Sequence, residues 1–437
     1  MFFQNIILNC YWRLFDLKKI FVLITLFIFG STLNIQSREL SIKQLEDRKN
    51  ADIERQKKRY ERGVKKFSAE ISLTTEIIFI TKERKIPAVL SNLDPILDDE
   101  GFYGVELGIE DNLTTGRFIG HDYKIKFIQV SLEENLEEEF LKLVNAGYVY
   151  FIADLNFKEL VQISQLDKAK DTLLINIRSK EDELRNSLCS RNLIHIPPSY
   201  NMLADALTQY LVKKKWKRWM LVVGDDQSDK KYAKAIKKSA RKFNVKIKDE
   251  RVWDFASDLR RTAQKEIPIF TKGSKYDILV VSDEKGEFGE YLSYRTWDPR
   301  PIVGSQGLKP TSWHRTHEQW GATQMQNRFR RESGRWMTSV DYFAWVAVRS
   351  IGEVVSRIKS NDLKKVKDFL LSKDFGIGAY KGVKVSFRDW NGQLRQPILL
   401  AAPRSMVSVS PQEGYLHPES ELDTLGIDKP ESTCKFK

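Results

Sequence analysis

From Ile71 onward, short apolar runs rich in β-branched and aromatic residues alternate with longer amphipathic segments. IIFIT (77–81), YKIKFIQV (123–130), YVYFIA (148–153) and TLLINIRS (172–179) have the length and composition of strands, and EGFYGVELGIEDN (100–112) and EENLEEEFLKLVNA (133–146) between them read as helices. The turn-rich IHIPPSY (194–200) interrupts this rhythm, which then restarts with helix NMLADALTQYLVKK (201–214), strand RWMLVVG (218–224), helix SDKKYAKAIKKSARKF (228–243) and strands VKIKDERVW (245–253) and YDILVVSDE (276–284). Alternation at this spacing calls for parallel sheets flanked by helices. The pattern therefore predicts an α/β fold of two Rossmann-like lobes, the second beginning near Pro197. A long helix follows at 340–358, and the last strand-like pieces are KGVKVSFRDW (381–390) and QPILLAA (396–402).

In helix 201–214, Leu203, Ala206, Leu207, Tyr210 and Leu211 share one side, the spacing of a surface helix packed on a sheet. The lysines that follow, in KKKWKRW, suit the negative end of its dipole, and this reading is favoured over a nucleic-acid patch.

The chain has 437 residues, enough for two domains or one large two-lobed unit with a sizeable core. With 30% charged and 41% hydrophobic residues it is neither a multi-span membrane protein nor a disordered chain. Lysine plus arginine exceed aspartate plus glutamate by 13, which favours anionic contacts without selecting a partner.

The N-terminal segment changes the compartment. Ile20–Gly30 (IFVLITLFIFG) has the length of a signal-peptide apolar region, is preceded by Lys18 and Lys19, and is short of the roughly 20 residues that span a bilayer. Residues 1–37 are expected to be a signal peptide or, since no clean small-residue cleavage site follows, a retained membrane anchor; a buried core helix is the plainer alternative. Residues 38–69 form an expected charged helical stalk: between Arg38 and Phe67 stand eleven basic and six acidic residues. Mixed signs favour a spacer over a nucleic-acid arm. Export would leave Cys189 and Cys434 in an oxidising space, where they could bridge or stay as unrelated thiols. A bridge would contribute on the order of 4–5 kcal/mol by chain entropy.

Catalytic patterns are mostly missing. Neither a Walker A pattern nor G-x-G-x-x-G occurs, and GIGAYKG (376–382) precedes a strand. Ser305 lies in VGSQG, which lacks the first glycine of a nucleophile elbow. WHRTHE (313–318) places His314 and His317 three apart, without the H-E-x-x-H spacing of a zinc site, so surface histidines are the favoured reading and no metal is expected. The aromatic and basic stretch Trp313–Trp345 could stack bases; a segment crossing between lobes, its tryptophans buried and its arginines paired, is preferred.

Particular strings add a resemblance. EGFYGVELGIEDNLTTGRFIG (100–120), IPPSYNMLADALTQYL (196–211), YRTWDPRPIVGSQGL (294–308), GRWMTSVDYFAWVAVRSIGE (334–353), FRDWNGQLRQPILL (387–400) and the tail 407–434 resemble the substrate-binding component of the ABC system associated with pyrroloquinoline-quinone (PQQ)-dependent alcohol dehydrogenases. That subfamily has the type I periplasmic binding protein fold of leucine/isoleucine/valine-binding proteins. The resemblance implies crossings near 197, 315 and 378. The first lobe would then hold 70–197 plus 315–378, the second 198–314 plus 379–402, and 403–437 would be a tail. It implies a periplasmic protein that catalyses nothing, carries no cofactor, binds a small molecule rather than nucleic acid, and serves an ABC permease with a functional link to a PQQ-dependent alcohol dehydrogenase. The competing classes are a periplasmic cofactor or metal chaperone and a sensor module of the same fold. The loop after the first strand, KERKIPAVLSNLDPILDD (82–99), departs from the glycine- and serine-rich loop of amino-acid-binding relatives, so amino-acid specificity is not implied.

In open α/β sheets ligands sit outside the carboxyl ends of the strands. The candidate ligand-binding residues are therefore Asp154 and Asn156, Asn176 and Arg178 in the first lobe, and Asp283 and Glu284, Ser305 and Gln306 in the second. Each has a plainer alternative as a helix cap or hinge hydrogen bond.

Overall fold

The computed structural model describes residues 69–85, 96–253 and 259–436. The expected leader and stalk, and most of the loop after the first strand, lie outside the described residues. Among the described residues no helix is long and apolar enough to cross a membrane.

The first lobe is built on five parallel strands, β1 (Leu73–Lys82), β2 (His121–Val130), β3 (Tyr150–Asp154), β4 (Leu173–Asn176) and β5 (Leu193–His195), in the order β2-β1-β3-β4-β5. Helices α1 (Phe102–Ile119), α2 (Leu136–Asn145) and α3 (Phe157–Ser164) connect them. The runs are continuously apolar because both faces are covered. Ile77 and Phe79 of β1 point into one core with Val105 and Leu107 of α1, while Ile78 and Ile80 point into another with Phe140 of α2 and Leu160 of α3.

The second lobe repeats the plan with β6 (Arg218–Val223), β7 (Lys246–Val252), β8 (Ile278–Ser282) and β9 (Ile302–Gly304), all parallel, in the order β7-β6-β8-β9. Its helices are α4 (Tyr200–Lys213), α5 (Gln227–Lys242), α6 (Leu259–Thr271) and α7 (Gly289–Leu292). Trp219 and Leu221 pack with α4 and α5, and Met220 and Val222 face the other way, towards Ile267 and Leu292. On one edge β10 (Lys309–Thr311) begins a three-stranded antiparallel sheet.

The chain then returns to the first lobe as α8 (Ala322–Ser333), α9 (Ser339–Ile358) and α10 (Leu363–Leu370). α9 starts in a capping box of Thr338 and Asp341 and lies against α1 so closely that a Cβ on Gly104 would fall 2.0 Å from the Asp341 carbonyl oxygen. Trp313, Phe329, Tyr342 and Trp345 are buried in this lobe, while Trp320 and Trp336 are exposed. Two arginines of the stretch find carboxylates: Arg328 bonds Asp111 at 2.6 Å, and Arg335 bonds Asp99 at 3.0 Å and Asp341 at 2.7 Å, whereas Arg315 donates to the Pro403 carbonyl and Arg330 lies over the Trp336 ring.

The third crossing lies further along than the expected position near 378. β11 (Ile377–Gly378), β12 (Lys384–Phe387) and β13 (Leu394–Arg395) form a small antiparallel sheet, and Ile377, Val385, Phe387 and Leu394 join the first lobe's core. Residues 379–394 thus pack in the first lobe. The passage to the second lobe comes at Gln396–Pro397, after which β14 (Ile398–Ala402) pairs with β10 and with β15 (Ser405–Ser410), the strand that opens the tail. The tail then runs over both lobes. Leu425 is buried with α4, Asp423 accepts from Arg388 and Arg395 at 2.8 and 2.9 Å, and Cys434 is disulfide-bonded to Cys189, with Cα atoms 5.7 Å apart.

Candidate functional site

In both lobes the strand order reverses beside the first strand, between β1 and β3 and between β6 and β8. A crevice opens at such switch points beyond the carboxyl ends of the strands. The residues that follow these ends bring the two lobes into contact. Lys180 Nζ, after β4, lies 2.8 Å from Glu284 after β8, and Lys231 Nζ, in the second turn of α5, lies 3.5 Å from Glu181. The Lys231 ammonium also sits 3.9 Å from the centre of the Phe157 ring at the start of α3.

Behind this contact each wall is charged. In the first lobe Asp154 accepts from Arg178 and, at 2.9 Å, from Arg84, with Thr81 Oγ1 donating at 3.2 Å. Burial raises the Asp154 carboxyl, but the two guanidinium groups outweigh it and hold it below the usual carboxylate range. Arg178 extends the network to Glu100 at 3.0 Å. In the second lobe Asp229 is buried at the start of α5, accepts from the Glu284 N–H at 2.6 Å, and is pushed up to about 6 by burial, Asp283 and Asp226 adding to the effect. Tyr232 lies one helical turn beyond. Its ring is 5.7 Å from that of Tyr200, and its buried hydroxyl has no hydrogen-bond partner among the described residues. Burial and the nearby Glu284 raise that phenol further.

The eight expected ligand residues divide accordingly. Glu284 meets Lys180 of the other lobe, and Arg178 and Asp154 belong to the charged wall. Asn156 caps α3 in a capping box with Glu159. Asn176 is fully buried, accepting from the N–H groups of Arg178 and Ser179 at 3.0 and 2.8 Å and donating to the Ser179 carbonyl at 2.8 Å. Asp283 is spent on the N–H groups of Glu287, Phe288 and Gly289, at 2.9, 3.0 and 2.7 Å. Ser305 accepts from the Asp283 N–H at 2.7 Å, and Gln306 is buried against Gly289. Lys180, Glu181, Lys231, Tyr200 and Tyr232 lie beyond the strand ends and were not among the expected residues. For Lys231 the available signal was its place one turn into the helix that follows β6.

Buried polar side chains hold the crossings between lobes. Lys381, buried, donates to the Ser312 carbonyl and, at 3.4 Å, to that of Pro397, joining the second and third crossings. Gln396 donates to the Ile196 carbonyl at 2.7 Å, tying the third to the first. Arg185 donates to the Pro197 carbonyl at 2.9 Å and to Gln393 at 2.7 Å. Burial without a carboxylate lowers Lys381 to about 7. The WHRTHE histidines bind locally. His317 donates to the Tyr380 carbonyl at 2.7 Å, and His314 shares a hydrogen with Thr316. Among the described residues no group of three or more His, Cys, Asp and Glu side chains is arranged to hold a metal ion.

No family model matches the sequence, and no curated protein does. Solved structures do. A branched-chain amino-acid ABC transporter periplasmic ligand-binding protein from Burkholderia xenovorans superposes with a TM-score of 0.64 at 16% identity, covering 84% of this chain and 100% of that one. A periplasmic binding protein from Burkholderia mallei gives 0.61 at 17%, covering 83% and 99%. The leucine-, isoleucine-, valine-, threonine- and alanine-binding protein from Brucella ovis, in its closed conformation, gives 0.60 at 12%, covering 84% and 100%. With two doubly wound parallel sheets, three crossings and these neighbours, the fold is that of type I periplasmic binding proteins.

Proposed function

We propose that this chain is the extracytoplasmic solute-binding component of an ABC transport system, holding a small molecule between its lobes for a membrane permease and performing no bond chemistry on it. The observation that carries the reading is the contact between the two lobes. Carboxyl ends of two sheets face each other across three single-chain crossings and meet through Lys180–Glu284 and Lys231–Glu181. Ligand bonds made to both lobes exist only when the lobes are together, so a ligand shifts an open–shut equilibrium towards the shut form. Shifting it from 1:99 to 99:1 needs about 5.5 kcal/mol of preference, within reach of several buried hydrogen bonds. The charged wall of Arg84, Asp154, Arg178 and Glu100 suits a polar or ionic solute better than the aliphatic side chain of a branched-chain amino acid.

Two finer points rest on the sequence. The subfamily strings at 100–120, 294–308 and 334–353 support a link to PQQ-dependent alcohol oxidation. The N-terminal apolar run and the Cys189–Cys434 bridge support a periplasmic location, where disulfides persist. Mass spectrometry of small molecules released from natively purified protein tests the whole reading. A polar solute is expected, and added back at 100 times its Kd it should stabilise the fold by about 2.7 kcal/mol. A released quinone cofactor would instead favour a chaperone role.

A further inference from the structure

The second lobe is electrically polarised along its strands. Six carboxylates follow the carboxyl ends of β6 and β8, Asp225, Asp226, Asp229, Asp283, Glu284 and Glu287, and Lys230 and Lys285 pair with two of them. The opposite end is basic. In a parallel sheet every loop leading from a helix into a strand emerges at the amino ends of the strands, so the loops into β6, β7, β8 and β9 share one surface. These loops and the element ends beside them carry Lys213, Lys214, Lys215, Lys217 and Arg218, then Arg241, Lys242 and Lys246, then Lys272 and Lys275, then Arg295 and Arg300, against the carboxylates of Asp277 and Asp298. The first two are joined directly, since the Lys246 N–H donates to the Lys217 carbonyl at 2.9 Å and Arg218 pairs in register with Lys246.

Structural ion pairs account for few of these charges. Arg218 meets Asp277, Lys242 meets Asp205 and Lys213 approaches Glu413. Lys214, Lys215, Lys217, Arg241, Lys246 and Lys275 are exposed and have no carboxylate partner among the described residues. The corresponding end of the first lobe mixes Glu70, Asp122, Asp167 and Asp171 with its cations, so the bias belongs to one lobe.

The same surface exposes aromatics. In the loop into β9, Tyr294 is fully exposed and Trp297 is 52% exposed, with the Lys272 ammonium 4.4 Å from the centre of the Trp297 ring. Tyr294 and Arg295 also line an open depression of about 660 Å³.

We propose that this end of the second lobe, remote from the crevice, is a contact surface for anionic lipid headgroups. Lysine ammoniums on flexible stems neutralise a diffuse negative surface without needing bidentate geometry, and tryptophan and tyrosine settle at headgroup level. The cations are spread over four loop tips instead of lining a groove that would track a nucleic-acid strand. The apolar run at Ile20–Gly30 also suits a chain that works at a membrane. Such a contact would present the crevice away from the bilayer surface, so the lobe must leave the lipid before it delivers solute to a permease.

The test compares partition of the full-length chain onto vesicles of phosphatidylcholine alone and of phosphatidylcholine with phosphatidylglycerol in equal parts. An apolar anchor inserts into both, so the anionic-to-neutral ratio isolates the charge contribution. Lys214→Glu, Lys217→Glu, Lys246→Glu and Lys275→Glu combined should lower that ratio about tenfold or more, and high salt should abolish the wild-type preference. The corresponding lysine-to-glutamine variant should fall between the two and serves if charge reversal impairs folding. A ratio unchanged in the variants overturns the proposal. So does tighter binding of the wild type to a single-stranded oligonucleotide than to the anionic vesicles, which would make nucleic acid the partner.

Discussion

Lys381 is the residue whose chemistry is most at odds with its surroundings. An ordinary lysine deprotonates near 10.5, and burial brings this one to about 7. Between those values the unfolded chain holds one more proton than the folded chain, so this group's contribution to stability rises with pH. Its cost is complete below about pH 7 and gone above 10.5. Against Lys381→Met, the wild type should therefore gain about 1.4 kcal/mol per pH unit within that window, read by urea denaturation; a constant difference would show that Lys381 keeps its charge. Asp154 behaves in the opposite sense. Its carboxyl is held low by Arg178 and Arg84, so its stabilisation is present above its unfolded value near 3.9 and is lost as pH falls through the depressed folded one. Asp154→Asn removes the charged acceptor of the exposed Arg84 and the half-buried Arg178 and should cost about 1.5 kcal/mol at neutral pH, measured the same way.

At the scale of elements, the strands filled on both faces were legible because a run such as Ile77–Ile80 satisfies two cores at once and is short, whereas the consecutively buried Tyr342–Val348 belong to a 20-residue helix. Helix Leu259–Thr271 was not legible, since Pro268 within it reads as a breaker. The third crossing, expected near 378 from the resemblance, falls elsewhere because Ile377, Val385, Phe387 and Leu394 are apolar enough to stay in the first lobe's core. Gly378 ends β11, which pairs with β12 at Lys384–Val385, and the passage to the second lobe comes at Gln396–Pro397. Candidate ligand residues divided for a related reason. A short polar side chain at a strand end serves equally as ligand donor or helix cap, and Asn156, Asn176 and Asp283 are caps and turns. The approach of α1 to α9 was also invisible in one dimension. A methyl group at Gly104 would meet the Asp341 carbonyl, so Gly104→Ala should lower stability by about 3 kcal/mol. A thermal midpoint equal to the wild type would show that the helices separate without cost.

For the whole molecule, the crossings and the tail together set how the lobes are tied. The Cys189–Cys434 bridge closes a loop spanning 245 positions, and between its cysteines the tail passes Asp205 of the second lobe and Arg388 of the first. Cys434→Ser should cost on the order of 5 kcal/mol by loop-closure entropy, and reductant should lower the melting temperature of the wild type but not of the variant. The crevice must still open for solute to enter. Breaking Lys180–Glu284 and Lys231–Glu181 is the electrostatic cost of opening, and for partly exposed pairs it is modest, about 1 kcal/mol each. The most direct measurement is small-angle X-ray scattering of protein stripped of its solute, then titrated with the molecule recovered from it. Closure about three crossings predicts a radius of gyration that falls with saturation; binding with an unchanged scattering profile would contradict capture between moving lobes.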